Sequence, residues 1–512
     1  MPHIFLYGPP GTGKTTIGKT LAHSLKLSFL DLDGVIEANA GIPIPHIMHM
    51  QGEPAFRDQE SAALKTLITE RESVIALGGG ALLRNENREM VENNGSVALL
   101  MADLETLLGR LKSDPNTRPL LAGNLREKLN SLLNQRREHY NSFPLLISVD
   151  AQTAEQVTQN LQTTLGRHHL SAMGDYDVIV QNNSLDRLAE MLQIRGLENP
   201  IVVTDENVAE LHAEKVVASL HASGFDPSVL PIPAGESYKT LQTISQLWHG
   251  FLKTGMDRNS TVIALGGGVL SDMAGFAAAT FMRGADWVVL PTTLLAMVDA
   301  SLGGKTGFDL PEGKNLIGSF HAPKLVLADL QVLKTLPEGE LISGLAEVVK
   351  HGVISDPELF NLCARGLAWV KDHLDDIVKR AMAVKIQIIE DDPYENGFRA
   401  ALNLGHTVGH AVELASGFKI RHCEAVAIGM VAEAKLAERL TVAAKGVSDA
   451  VAESLSALHL PIHIPKALSR EQIVQAMKVD KKKNRQVIRF ALPVEIGKVE
   501  LVNLTDLEMV LQ

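Results

Sequence analysis

The chain has 512 residues, 48 Lys+Arg against 60 Asp+Glu for a net charge of -12, 45% hydrophobic content, 4% aromatics and two cysteines. Length alone asks for about three folding units at about 150 residues each. The acidic balance argues against a nucleic-acid coat or a polybasic membrane binder, and two cysteines, Cys363 and Cys423, cannot build a disulfide framework. No charge-free run reaches the about 18 residues of a membrane-spanning helix, and the start lacks the basic segment of a signal peptide. The composition reads as a soluble, cytoplasmic, multidomain protein.

Residues 3–8 form a short buried strand, a glycine-rich turn follows, and the spacing from Thr15 to Leu27 is helical. Strand-like runs recur at 73–77 and 96–101, which is the rhythm of a parallel α/β sheet. A polar helical stretch at 151–165 ends in residues 166–174, read as a linker. A second α/β rhythm opens at Tyr176, with strands near 177–181, 200–204, 228–232, 261–265 and 286–290; past about 330, long helical patterns take over to about 480. Ala-Leu-Gly-Gly-Gly occurs at 76–80 and 264–268 with different flanks, a recurring strand-to-loop solution and not an internal repeat.

Gly8-Pro9-Pro10-Gly11-Thr12-Gly13-Lys14-Thr15 fits G-x-x-x-x-G-K-[ST] between a strand and a helix. Its glycines let backbone N–H groups from Gly11, Thr12, Gly13, Lys14, Thr15 and Thr16 turn around phosphate, and the helix N-terminus adds a favourable field. Lys14 is expected on the β/γ-phosphates, with Thr15 on Mg²⁺. Asp31 and Asp33, two apart on a strand end, are expected to point together toward this loop, one near Mg²⁺ and the other accepting a substrate hydroxyl. Arg57 in Gly52-Glu53-Pro54-Ala55-Phe56-Arg57 and the bare backbone of Gly78-Gly79-Gly80 suit a small hydroxylated carboxylate.

On these motifs, residues 1–165 resemble shikimate kinase. The resemblance implies ATP with Mg²⁺ at Thr15 and Asp31, and shikimate on Asp33, Arg57, Gly79, Gly80 and Arg136, the last from Leu132-x-x-x-Arg136-x-x-x-Tyr140. It also makes Arg118, in Thr117-Arg118-Pro119, a lid arginine over ATP, catalytic together with Lys14 and Asp33. Ile44-Pro45-His46-Ile47-Met48 and Arg137-Glu138-His139 depart from the family pattern. Gluconate kinase is the nearest rival, and the Asp31-x-Asp33 and Gly-Glu-x-x-Phe-Arg pairing favours shikimate.

Between 395 and 413, Glu395, Arg399, Asn403, His406, His410 and Glu413 are spaced by 4, 4, 3, 4 and 3 residues. On one helix they would share an arc of about 80°. Two histidines there, His422 on a following loop, and Glu347 one turn from Lys350 suggest a metal with open coordination positions. His406 and His410 at i, i+4 could both ligate, but no glutamate stands between them as in a metalloprotease. The alternative is a polar face on solvent, with Leu402, Leu404 and Val408 as its core side. Gly266-Gly267-Gly268 with Asp272 suits close approach of a pyrophosphate, and the lysines near Asp299, Gly303-Gly304-Lys305 and Lys314-Asn315 sit in glycine-rich apolar surroundings that are poor places for surface charge.

Residues 175–512 resemble 3-dehydroquinate synthase, through Asp205-Glu206-Asn207, Gly235-Glu236-x-x-Lys239, the 266–268 glycines with Asp272, Pro291-Thr292-Thr293 and Lys314-Asn315. The fold implied is a P-loop kinase with a parallel sheet over 1–165, the linker 166–174, an α/β NAD-binding domain over 175–330 and a mostly α-helical metal and substrate domain over 331–512. NAD is implied on Asp205, Asn207, Glu236, Lys239, Gly266, Gly267, Gly268, Asp272, Thr292, Thr293 and Lys314. One divalent metal, zinc before cobalt, is implied on Glu347, His406 and His422. Substrate contacts implied are Arg283, Asp299, Lys305, Asn315, Lys350, Lys385, Arg399, Asn403, His410 and Lys481, with Lys305, Lys350 and His410 catalytic. His410 becomes a base or proton relay by this resemblance alone. The family has glycine where this chain has Cys423. The implied reaction turns 3-deoxy-arabino-heptulosonate 7-phosphate into 3-dehydroquinate and phosphate without net redox change. Expected with it are a bifunctional enzyme of aromatic biosynthesis and a homodimer through the synthase part. The alternatives are a silent kinase-like docking module, another sugar-phosphate cyclase, or a glycerol-dehydrogenase-like enzyme.

Overall fold

The computed structural model describes residues 2–113, 124–483 and 487–511. Arg118 and the side chain of Lys481 lie outside the described residues. The chain divides into two units, Met1–His169 and Leu170–Gln512.

Among the described residues the first unit holds a sheet of five parallel strands, β1 (His3–Tyr7), β2 (Ser28–Asp31), β3 (Ser73–Ala76), β4 (Gly95–Met101) and β5 (Leu146–Ser148), in the order β2-β3-β1-β4-β5. Central β1 is buried throughout, and its alternate side chains serve two cores. Ile4 and Leu6 pack with Ile17, Leu21 and Leu161, whereas Phe5 and Tyr7 pack with Leu32, Leu64 and Tyr140. The helix Ile44–Leu67 is kinked at Gly52 (φ 82°, ψ 168°), two residues before Pro54, whose missing N–H cannot continue the ladder.

The division between units falls inside β6 (Arg167–Leu170). The stretch read as a linker therefore contains regular structure: His168 and Leu170 are buried and alternate with half-buried Arg167 and His169, a strand period hidden by its polar residues. In the second unit β7 (Tyr176–Val180), β8 (Glu198–Asp205), β9 (Ser228–Ile232), β10 (Ser260–Gly266) and β11 (Asp286–Pro291) precede an antiparallel hairpin, β12 (Lys305–Leu310) and β13 (Gly313–Phe320), and then β14 (Leu325–Ala328). Six strands run parallel in the order β7-β14-β11-β10-β8-β9. The helices that follow include Glu338–Ile354, Leu374–Asp391, His406–Ala415 and His422–Arg439. The helical reading past 330 omitted a terminal hairpin, β15 (Ile488–Glu495) and β16 (Lys498–Leu504), which buries Ile488, Phe490 and Leu492 with Val408, Val412 and Ile428. Among the described residues no helix is long and apolar enough to cross a membrane.

The continuous helical face expected over 395–413 is broken. A short 3₁₀ turn, Phe398–Asn403, ends at Leu404 (φ -52°, ψ 126°), and the helix His406–Ala415 starts after Gly405 at φ 79°. A Cβ on Gly405 would sit 2.6 Å from both the Val426 carbonyl oxygen and Met430 Cγ, so the close helix approach requires this glycine.

Candidate active sites

The phosphate loop leaves the C-terminal end of β1 with Gly8, Gly11 and Gly13 at φ 142°, 88° and 87°. A Cβ on Gly8 would lie 2.2 Å from the Leu100 carbonyl oxygen, so glycine is obligatory there. Lys14 Nζ donates to the carbonyls of Gly8 (2.8 Å) and Pro9 (3.2 Å), poised over the loop. Thr15 Oγ1 donates to Asp31 Oδ2 at 2.9 Å. Asp31 and Asp33 do not point together: Asp31 ends β2 and caps the next helix, and Asp33 lies in that helix's first turn. The helix rotates Asp33 toward the glycine loop, where a Cβ on Gly78 would be 2.9 Å from its Oδ1.

Around that loop the acceptor residues converge. Arg57 donates to Glu60 (2.8 Å) and Glu53 (3.0 Å), and a Cβ on Gly80 would meet its Nη2 at 2.6 Å. The carbonyl of Gly79 accepts from Arg136 (2.6 Å), Tyr140 (3.3 Å) and Tyr7 (3.4 Å), and Tyr7 also pairs with His139 Nε2 at 3.1 Å. His139, one of the departures at 137–139, thus lies beside this pocket. Burial pushes the Glu60 carboxyl up, against the pull of Arg57. Sequence reading missed Glu60, although its i, i+3 spacing from Arg57 on a helix was available as a signal. It also missed Arg110, which donates to the Thr12 carbonyl at 3.4 Å.

In the second unit, Asp205, Glu236 with Lys239, Gly266–Gly268 and Thr292 with Thr293 follow the C-terminal ends of β8, β9, β10 and β11, the edge where open α/β sheets take ligands. Cβ atoms on Gly267 and Gly268 would be 3.3 Å from Thr293 Cγ2 and 3.0 Å from the Ala300 Cβ. Asp205 accepts from the backbone N–H groups of Asn207 and Val208, both at 3.1 Å. Lys239 Nζ donates to Asp272 Oδ2 and Asn315 Oδ1, both at 2.6 Å, and joins an expected NAD contact to an expected substrate contact. Burial lifts Asp272 to about 6 despite Lys239. Lys314 lies 3.2 Å from Glu413 and 3.6 Å from Glu236.

Beside this edge lies a buried charge network. Lys385 Nζ donates to Asp299 Oδ1 (2.5 Å) and Lys350 pairs with Glu347; outside the buried pairs, exposed Lys305 meets Glu395 at 2.8 Å. Burial opposes ionisation of Asp299, but Lys385 and Lys350 hold its carboxyl well below the usual range. Glu347 Oε1 is 3.7 Å from His406 Nε2. Ring atoms of His406, His410 and His422 all lie within 4.8 Å of one another, as do atoms of Asp299, Glu347 and His351. Burial, then Lys350 and the other two histidines, keeps His406 neutral, the form that ligates. His422 Nδ1 is 3.2 Å from Glu413 Oε2, the kind of carboxylate partner that orients a ligand. The donor types suit a divalent metal on the expected Glu347, His406 and His422, although of the three histidines Glu347 meets only His406 and its atoms gather with those of Asp299 and His351 instead. Distance alone puts His410 as near as the other histidines. Cys423 is buried, its thiol pushed up by burial, and belongs to neither group.

Three further expected contacts differ in where they stand. Arg399 is buried against the Gly303 loop, where a Cβ on Gly303 would meet its Nη2 at 2.7 Å, and it donates to the Pro393 carbonyl and, at 3.5 Å, to Met173 Sδ; Asn403 is exposed. Arg283 lies just ahead of β11, at φ 73°, whereas the glycine loop leaves the opposite end of neighbouring β10. Six residues of strand, about 20 Å at about 3.3 Å each, separate the two ends. The structure does not bring Arg283 to its own chain's site.

Fold and sites define a P-loop phosphotransferase joined to an enzyme with a dinucleotide-type sheet and a metal-type histidine cluster. The shikimate kinase family model matches residues 10–166, and the N-terminal and C-terminal 3-dehydroquinate synthase models match 229–343 and 344–483. A 3-dehydroquinate synthase of Nostoc sp. (strain PCC 7120) is 44% identical over 339 residues, 65% of this chain and 93% of that protein. A shikimate kinase of Acinetobacter baumannii, solved with shikimate, is 39% identical over 32% of this chain and 92% of its own, with a TM-score of 0.31. A 2-epi-5-epi-valiolone synthase of Streptomyces hygroscopicus, solved with NAD⁺ and Zn²⁺, is 29% identical over 65% of this chain and 94% of its own, with a TM-score of 0.59. The chain belongs to the 3-dehydroquinate synthase family and carries a shikimate kinase domain ahead of it.

Proposed function

We propose that this chain catalyses two reactions of aromatic biosynthesis, ATP-dependent phosphorylation of shikimate at the 3-position and formation of 3-dehydroquinate from 3-deoxy-arabino-heptulosonate 7-phosphate. The observation that supports this reading is that Lys14, Asp31, Asp33, Arg57 and Arg136 converge around the glycine loops of the first unit, while Asp299, Glu347, Lys350, Lys385 and three histidines cluster in the second. In the kinase, Lys14 turns from the loop carbonyls to the transferred phosphate. Arg57 and Arg136 hold the carboxylate beside Gly79 and Gly80, and Asp33 accepts the hydroxyl proton as its oxygen attacks phosphorus. Mg²⁺ at Thr15 and Asp31 would neutralise charge on the phosphates.

In the synthase, Lys305, Lys350 and Lys385 are each paired with a carboxylate in the free chain. A substrate carrying a carboxylate and a phosphate replaces some of these partners, so the lysines bind and orient it without extra exposed charge. His410, exposed at the cluster, moves the proton. When bound, NAD supplies a hydride acceptor and donor, and the metal on Glu347, His406 and His422 a Lewis acid. The dehydroquinate branch is favoured over other cyclases because identity is 44% to the Nostoc synthase and 29% to the valiolone synthase. A homodimer belongs to this proposal: from the far end of its sheet, Arg283 can contact substrate only in a second copy. So does a cytoplasmic location.

Both activities are assayed on the purified full chain, with Asp33→Asn as the test of the kinase half. Phosphoryl transfer should collapse while ATP binding and the synthase stay nearly intact. Equal loss of ATP binding and turnover would sink the assignment.

A further inference from the structure

One buried carboxylate, Glu433, has no part in the reactions above. It is 0% exposed on the helix His422–Arg439. Its Oε2 accepts the Gly405 N–H at 2.6 Å and its Oε1 the Val408 N–H at 3.2 Å. Among the described residues no cation forms an ion pair with it, and the groups that oppose its burial are all backbone N–H groups at this helix start. An unpaired buried carboxylate is costly, so its place calls for a reason.

The reason lies in how the histidines meet. The helix His406–Ala415 begins at Gly405, which has no side chain to cap it. Any capping residue there would collide with Val426 and Met430 and would strain a left-handed backbone. The two helices run antiparallel in backbone contact: a Cβ on Gly429 would fall 1.9 Å from the Gly405 carbonyl oxygen, and one on Gly409 2.9 Å from that of Ala425. This contact brings His406 and His410 to His422, and it excludes a local cap. Glu433 supplies the cap from across the contact. At the other end of the same pairing, Glu413 meets His422 at 3.2 Å. A slip of one turn, about 5.4 Å, would part His422 from the other two histidines.

We propose that Glu433 is a positioning residue for the metal centre, clamping the helix that carries His406 and His410 onto the helix that carries His422. The inference rests on the functional reading above, in that these histidines serve a metal.

The test uses full-length Glu433→Gln and Glu433→Ala. Gln keeps one acceptor oxygen, and Ala keeps none. Metal affinity, the absorption spectrum of the Co²⁺-loaded protein, NAD binding and synthase kcat and KM are measured, with kinase activity as an internal control. The expected result is metal affinity reduced about 10- to 100-fold, an altered Co²⁺ spectrum and a lower kcat. KM, NAD binding and the kinase should be little changed, and Gln should fall between wild type and Ala. Wild-type metal affinity and spectrum in Glu433→Gln and Glu433→Ala would overturn the proposal. So would loss of metal only in step with loss of NAD binding and a lower melting temperature, because Glu433 would then merely hold the fold. A wild-type chain that binds no divalent metal would overturn the functional reading as well.

Discussion

Gly80→Ala isolates the contact between the glycine loop and Arg57. The backbone of Gly80, at φ -125° and ψ 3°, accepts alanine without strain, so the effect is steric alone. The new Cβ would stand 2.6 Å from Arg57 Nη2 and 2.9 Å from Nη1. Reaching an ordinary contact of about 3.5 Å moves the guanidinium by about 0.9 Å. That stretches its 2.8 Å bond to Glu60, whose side chain is 1% exposed and can find no water in exchange. A displacement of about 1 Å in a substrate-positioning group costs about 10²-fold, or about 2.7 kcal/mol, in kcat/KM. Steady-state phosphorylation should show that loss with shikimate as the varied substrate. KM for ATP and synthase activity should hold, because the phosphate loop and the second unit are untouched. A kcat/KM for shikimate within about threefold of wild type would refute the placement of Arg57 at the acceptor.

A strong transition-metal chelator in excess Mg²⁺ should strip Glu347, His406 and His422 and stop the synthase while the kinase continues; parallel loss in coupled assays would contradict two separate sites. His410→Ala should lower synthase turnover but keep metal content near that of wild type after dialysis, and a substantial fall in occupancy would make His410 a ligand. His168 is held neutral by burial, its pKa pushed down from 6.5 to about 4. The unfolded chain takes up that proton first, so stability is lost as pH falls from about 6.5 to about 4, by up to about 3 kcal/mol. Urea unfolding of His168→Leu should lack this share of the acid loss, and an unchanged pH dependence would refute it.

The phosphate loop was legible in the sequence because everything it needs is contiguous. Three glycines with positive φ, a lysine and a threonine between strand and helix set their own backbone geometry within eight residues. The strands over 177–181, 200–204 and 261–265 were legible for the same reason, as short runs of β-branched residues whose pattern needs no distant partner. The break at Gly405 was not, because the helical spacing from 395 to 413 is satisfied equally by one helix or by two elements. Only the approach of Val426 and Met430 decides between them. Asp31 and Asp33 likewise share a direction on an extended strand, but the helix that starts between them gives each its own partner. Glu433 stands 28 residues from Gly405, and nothing in its own neighbourhood marks it as a cap. Local backbone preference writes turns, strands and phosphate loops into adjacent residues. Which carboxylate meets which helix end, and which arginine reaches which site, is decided by packing between segments far apart in the chain.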